Sequence, residues 1–145
     1  MALQSSKFAI SDIGRTSQAP YVIFHFQKEH GDKHVLAVQE WIEENFDQSF
    51  DYDMLARYHG MSRRTLERRF KTATGDTPLT YQQRIRVETA KRILEKEDQS
   101  IDEITYRVGY ENSSSFRKVF LKQAGLLPTV YRKKFQRVQP INDDL

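Results

Sequence analysis

The segment Gly60-Met-Ser-Arg-Arg-Thr-Leu-Glu-Arg-Arg-Phe70 decides the fold, because the chain carries it twice. The second copy is Val108-Gly-Tyr-Glu-Asn-Ser-Ser-Ser-Phe-Arg-Lys-Val-Phe120. A shift of 50 residues sets Leu66 on Phe116, Arg68 on Lys118, Phe70 on Phe120, Gly75 on Gly125, Pro78 on Pro128 and Tyr81 on Tyr131. Upstream of the glycine turn the shift is 49, setting Asp53 on Asp102, Leu55 on Ile104 and Gly60 on Gly109. A repeat at near-constant spacing is one supersecondary unit used twice. Each copy reads as a short helix, a glycine turn, a second helix with a phenylalanine near its middle, a glycine stop and a proline restart. Short helix, tight turn and second helix form a helix-turn-helix unit. The one-residue change of shift belongs in the turn, where insertions cost little.

Outward from these copies the pattern stays helical. Val35, Val38, Trp41, Ile42 and Phe46 recur at helical spacing and predict a first helix of about three turns beginning near His34. Asp51 can cap a second helix through Met54, Leu55 and Tyr58, which Gly60 ends. Ser62 can cap a third, with Leu66, Phe70 and Ala73 on one side. Thr77-Pro78 opens a fourth that runs to about Lys96 without glycine or internal proline. Ser100-Ile-Asp-Glu103 is a capping box for a fifth, Asn112 can cap a sixth, and Pro128 opens a short seventh with Tyr131 and Phe135. The expected fold is all-α, seven helices in tandem helix-turn-helix units around a long connecting helix. Its parts are an N-terminal segment 1–33, a first unit 34–78, a connecting helix 79–97, a second unit 98–136 and a tail 137–145. Tyr21-Val-Ile-Phe-His-Phe stands apart as a short β-type run.

On a helical wheel, Arg64, Arg68 and Lys71 lie opposite Leu66, Phe70 and Ala73, with Glu67 on the flank. On the sixth helix, Ser114 and Lys118 lie opposite Phe116 and Phe120, with Arg117 on the flank. Leu121 also falls on the outer side, where packing on a neighbour or contact with a thymine methyl would explain it. Net charge is only +3 over 145 residues, but it is unevenly placed. Arg57 to Lys71 holds six basic residues against Glu67 alone, and Phe116 to Phe135 holds six and no acidic residue. Two basic clusters on a nearly neutral chain suit a polyanion. Gln39 to Asp53 holds six acidic residues and no basic one. Its helix face (Glu40, Glu43, Glu44, Asp47) is expected to be solvated, with a basic protein partner as the alternative.

A helix fits the DNA major groove, where base edges present a distinguishable pattern. A connecting helix of about 18 residues is about 27 Å long, against about 34 Å between successive major grooves. With some offset at each end, it suits two recognition helices in successive grooves of one duplex. The two surfaces differ in sequence, so the expected target is asymmetric and about two turns long, with some bending if the grooves do not match the linker.

The two quoted segments, with Gly125-Leu-Leu-Pro-Thr-Val-Tyr-Arg132, resemble the DNA-binding domain of AraC/XylS-type transcription regulators over about residues 35–136. The resemblance implies a homeodomain-like fold with the third and sixth helices as recognition helices, and double-stranded DNA as the partner. Base readers would match Arg64, Glu67 and Arg68 in the first unit and Ser113, Ser114, Arg117 and Lys118 in the second. Arg63, Lys71 and Lys122 complete the DNA-contacting set. Glu67 either accepts from cytosine N4 or pairs with Arg63 or Lys71 four residues away. Residues Gly14 to Asp32 resemble the junction in the subgroup with an upstream glutamine-amidotransferase-like sensing domain. The chain is thus expected to be the C-terminal part of a bacterial cytoplasmic, nucleoid-associated regulator, dimeric through the missing domain and touching RNA polymerase, with a free-standing short regulator as the alternative. A protein-interaction module contacting the transcription machinery is the alternative.

Other chemistry is set aside. The chain has no cysteine, no apolar run long enough for a membrane span, no phosphate-cradling glycine loop and no nucleophile elbow. His30 and His34 flank Asp32 at metal-like spacing, but Gly31 disfavours a helix there. No enzyme activity, cofactor or metal is expected. His59 sits in the first turn, where it is expected to face a phosphate, and Trp41 is expected in the core.

Overall fold

A computed structural model describes residues 24–136, so the expectations for residues 1–23 and for the tail 137–145 lie outside the described residues. Among the described residues, seven α-helices follow one 3-10 turn, Phe24–Lys28. They are α1 (Lys33–Asn45), α2 (Tyr52–Tyr58), α3 (Arg63–Thr74), α4 (Pro78–Lys96), α5 (Ile101–Arg107), α6 (Ser113–Ala124) and α7 (Pro128–Phe135). There is no strand among the described residues, and the fold is all-helical as expected.

The helix starts follow from their caps. The side chains of Asp51, Ser62 and Asn112 accept hydrogen bonds from the backbone N–H of Asp53, Thr65 and Ser115, and Thr77 Oγ1 accepts from Thr80 N at 3.1 Å. At Ser100 both halves of the capping box form: Glu103 N donates to Ser100 Oγ at 3.1 Å, and Ser100 N donates to Glu103 Oε1 at 2.8 Å. Each bond satisfies a donor that the first helical turn leaves without a partner.

The chain divides into two compact units, Met1–Ile85 and Arg86–Leu145, with the boundary inside α4. The core of the first unit is built from Val35, Val38, Ile42 and Phe46, Leu55 and Ala56 of α2, Leu66 and Phe70 of α3, and Tyr81 and Ile85 of α4. The second core takes Val87, Ala90, Ile93 and Leu94 of α4, Ile104 and Val108, and Phe116 and Phe120 of α6. The apolar residues of α4 are spread around the helix because its first part serves one core and its second part the other. Leu79 departs from that pattern, being half exposed. Trp41 packs against the first core, edge-on to Phe50 at 4.7 Å.

Two expectations are corrected. Phe24–Lys28, which takes in the last three residues of the β-type run, is a 3-10 turn, while Tyr21–Ile23 lie outside the described residues. A strand needs a neighbour for its ladder. This segment is held instead by side chains: Gln27 Nε2 donates to Thr74 O at 3.0 Å and Asp76 Oδ2 at 2.8 Å, and Gln39 Nε2 donates to Gln27 O at 3.0 Å. The acidic face of α1 is also not uniformly solvated. Glu43 is buried, paired with Lys28 Nζ at 2.8 Å and accepting from the Tyr81 hydroxyl at 2.7 Å. A buried carboxylate needs such partners to offset its lost hydration.

Candidate nucleic-acid interface

Each helix-turn-helix turn is closed by the same bonds. In the first, Gly60 N donates to Arg57 O at 2.9 Å and Met61 N to Ala56 O at 3.0 Å. In the second, Gly109 N donates to Tyr106 O at 3.1 Å and Tyr110 N to Thr105 O at 3.0 Å. All four pairs correspond at a shift of 49. The caps Ser62 and Asn112 correspond at 50. The inserted residue is therefore Glu111, between the turn and the cap, where it displaces neither. Gly60 and Gly109 hold φ of 77° and 106°, a left-handed conformation that other residues adopt only at a cost. The two second helices end alike, with Gly75 N donating to Lys71 O at 2.8 Å and Gly125 N to Leu121 O at 2.9 Å.

Burial of Leu66 and Phe70 turns the other side of α3 to solvent. Arg64, Arg68 and Lys71 are exposed and, among the described residues, enter no ion pair. Arg63 and Glu67, also predicted site residues, are committed to each other: Arg63 Nε reaches Glu67 Oε2 at 3.1 Å, and Arg63 Nη1 lies 3.8 Å from Asp53 Oδ2. The guanidinium also lies over the Tyr52 ring, 5.6 Å from its centroid. Glu67 thus settles on Arg63 rather than Lys71, and its carboxylate pushes the Arg63 pKa further up. On α6, Ser114, Arg117, Lys118 and Lys122 are exposed. Ser113 is half-buried, its hydroxyl accepting from Arg117 Nη1 at 3.3 Å. Leu121 is 46% exposed, so it is not packed away on a neighbour.

Several cations of the two basic clusters have structural tasks that composition does not reveal. Arg132 donates to Leu94 O, Gln99 O and Glu97 O at 3.3, 2.6 and 2.9 Å, closing the C-terminal end of α4. Arg69, next to Arg68, turns back onto Asp32, with Nε at 2.9 Å from Oδ2 and Nη2 at 2.7 Å from Oδ1. Asp32 also caps α1, accepting from His34 N and Val35 N. One carboxylate therefore ties the start of α1 to the middle of α3. The Arg69 hydrogen bonds hold the Asp32 carboxyl below its ordinary value, and Asp32 raises Arg69. Sequence reasoning missed this pair. The two side chains lie 37 residues apart, so neither carries a local signal of the other.

His30 and His59 are engaged as well. His30 Nε2 donates to Gln39 Oε1 at 2.8 Å, and its Nδ1 accepts from Asp32 N at 3.1 Å. His59 Nδ1 donates to Leu55 O at 3.0 Å. Among the described residues, no helix is long and apolar enough to cross a membrane.

The arrangement is two repeated supports, each presenting one helix whose solvent side carries cations and hydroxyls at four-residue spacing. Comparison with known proteins agrees with that geometry. The family described as a helix-turn-helix domain matches residues 55–134. The HTH-type transcriptional activator RhaS of Enterobacter sp. (strain 638) is 30% identical over 105 residues, 72% of this chain and 38% of that protein. RhaS of Salmonella schwarzengrund (strain CVM19633) is 32% identical over 104 residues, covering 72% and 37%. The chain thus spans less than two fifths of these curated relatives. Among solved structures, the DNA-binding domain of the transcriptional factor AdpA in complex with a target DNA is 35% identical, with a TM-score of 0.68 over 76% of this chain and 99% of that one. The C-terminal domain of AraT, a response regulator from Geobacillus stearothermophilus, is 26% identical, with a TM-score of 0.72 over 79% and 94%. With the family matched across both helix-turn-helix units and the fold shared, this chain belongs to the AraC-type helix-turn-helix family.

Proposed function

We propose that this chain binds double-stranded DNA sequence-specifically and regulates transcription, with α3 and α6 each entering a major groove. The observation that carries the proposal is the exposed set Arg64, Arg68 and Lys71 on α3, free of ion pairs among the described residues and opposite a fully buried Leu66 and Phe70. Guanidinium groups at that spacing can pair bidentately with guanine O6 and N7 or with phosphate oxygens. Arg64 and Arg68 are assigned to base edges, and Lys71 and Lys122 to phosphates. Ser113, Ser114, Arg117 and Lys118 form the second reading set. Arg63 and Glu67 act as a coupled pair, so Glu67 meets cytosine N4 only if it leaves Arg63. The AdpA domain bound to its target DNA and the activator names of the relatives support this reading.

The family is one of transcription regulators rather than enzymes. The wider assignment to a cytoplasmic bacterial regulator, acting on the nucleoid with an upstream glutamine-amidotransferase-like domain that dimerises it, is part of the same proposal. It extends to RNA polymerase as a protein partner, through exposed side chains such as Glu40 of α1.

Selection of bound duplexes from random DNA, followed by a gel shift, tests the DNA reading. It predicts enrichment of one asymmetric site about two turns long. A parallel pull-down with RNA polymerase separates the alternatives: polymerase retention without any enriched duplex would replace DNA binding with a protein-interaction role.

A further inference from the structure

The two recognition helices present three matching outward positions with different chemistry. At a shift of 50, Arg64 corresponds to Ser114, Arg68 to Lys118 and Lys71 to Leu121. All six are exposed. The apolar stripe of α6 is complete without Leu121: Phe116 and Phe120 are fully buried, and Val119 and Ala124 pack against the same core. A lone exposed leucine is ordinary on a protein surface. Its place here is not, because the matching residue of α3 is a lysine suited to phosphate, and one helical turn away lies Lys118. An aliphatic side chain in that row forgoes the phosphate contact that a lysine would make. On a base edge in the major groove, the feature it can recognise is the C5 methyl of thymine.

Resting on the DNA-binding reading above, we propose that Leu121 determines specificity by packing against a thymine methyl, next to the base pair approached by Lys118. One turn of helix advances about 5.4 Å, so the thymine lies within one or two base pairs of the Lys118 contact. The second unit then reads partly by shape and apolar contact, whereas the first relies on three cations.

The test uses the intact chain and a duplex obtained by selection, with each thymine replaced in turn by deoxyuridine, which lacks only the methyl. Fluorescence anisotropy gives the dissociation constants for the wild type, Leu121→Ala and Leu121→Lys. Circular dichroism checks that the variants fold, which the exposed position favours. The wild type is expected to lose about fourfold in affinity at one thymine, the worth of about one buried methyl group. Leu121→Ala is expected to bind the thymine and deoxyuridine duplexes equally at that position. Leu121→Lys is expected to lose the thymine preference and steepen the salt dependence by about 0.9 in the log–log slope. Specific binding with no deoxyuridine-sensitive thymine, or with a penalty unchanged in Leu121→Ala, would overturn the role of Leu121 and leave the DNA reading intact. Failure to discriminate any duplex would overturn the DNA reading itself.

Discussion

Arg68 and Arg69 are adjacent in sequence and opposite in task. Arg68 points to solvent with no ion pair among the described residues, while Arg69 grips Asp32 through two hydrogen bonds. The wheel assigned Arg68 to the outer face, because one buried stripe of leucine and phenylalanine fixes the helix orientation. Nothing local distinguishes Arg69 as a tether, since its partner comes from the far end of the unit. Arg68→Ala is expected to weaken binding to a selected site by about 1–3 kcal/mol and relax preference at one base position, with little change for random DNA. Competition binding with single-base variants of the site checks this. The Asp32 pair predicts a pH effect of defined sign. The folded carboxyl lies below its ordinary 3.8, so its contribution to stability is fully present well above that value and is lost as the pH falls through the lower, folded one. Urea unfolding between about pH 6 and pH 2.5 should therefore show a smaller acid loss in Asp32→Asn than in the wild type. Asparagine retains the helix cap and removes the charge, whereas Asp32→Ala should lose a further amount of about 1 kcal/mol from the cap.

Element boundaries were the most legible feature, and the reason is chemical. Caps, glycine stops and helix-opening prolines act on the backbone locally, so Ser62, Ser100 and Asn112 perform in the fold the roles their side chains announce in sequence. The run around Phe24 misled because β propensity cannot supply a partner strand. The position of the inserted residue needed the hydrogen bonds of the two turns, which show that Glu111 is the addition. At Gly60 an added Cβ would meet nothing within 4 Å, so only the backbone resists substitution. Gly60→Ala is expected to destabilise the protein by about 1–2 kcal/mol, the cost of a left-handed L-residue, and Gly60→Asn by less. Denaturant midpoints at constant slope would show this. A loss beyond about 3 kcal/mol would mean the turn has contacts besides its own backbone bonds.

At the scale of the molecule, small net charge conceals local organisation. Of the basic residues gathered on each second helix and its flanks, Arg69 and Arg132 hold the structure together, and Arg63 pairs with Glu67 at the surface. Arg64, Arg68, Lys71, Arg117, Lys118 and Lys122 are left exposed. Binding to duplex DNA should accordingly weaken with salt at a log–log slope of up to about 5, at about 0.9 for each phosphate neutralised. A slope near that of a single contact would contradict the use of both helices. The most direct measurement is equilibrium binding of the chain to its selected duplex and to a scrambled duplex, for the wild type, Arg68→Ala, Lys118→Ala and the double variant. Each single change should reduce the preference for the selected duplex by about tenfold or more, and the double change should nearly abolish it. Equal losses on both duplexes, or no loss at all, would mean that α3 and α6 do not read base sequence.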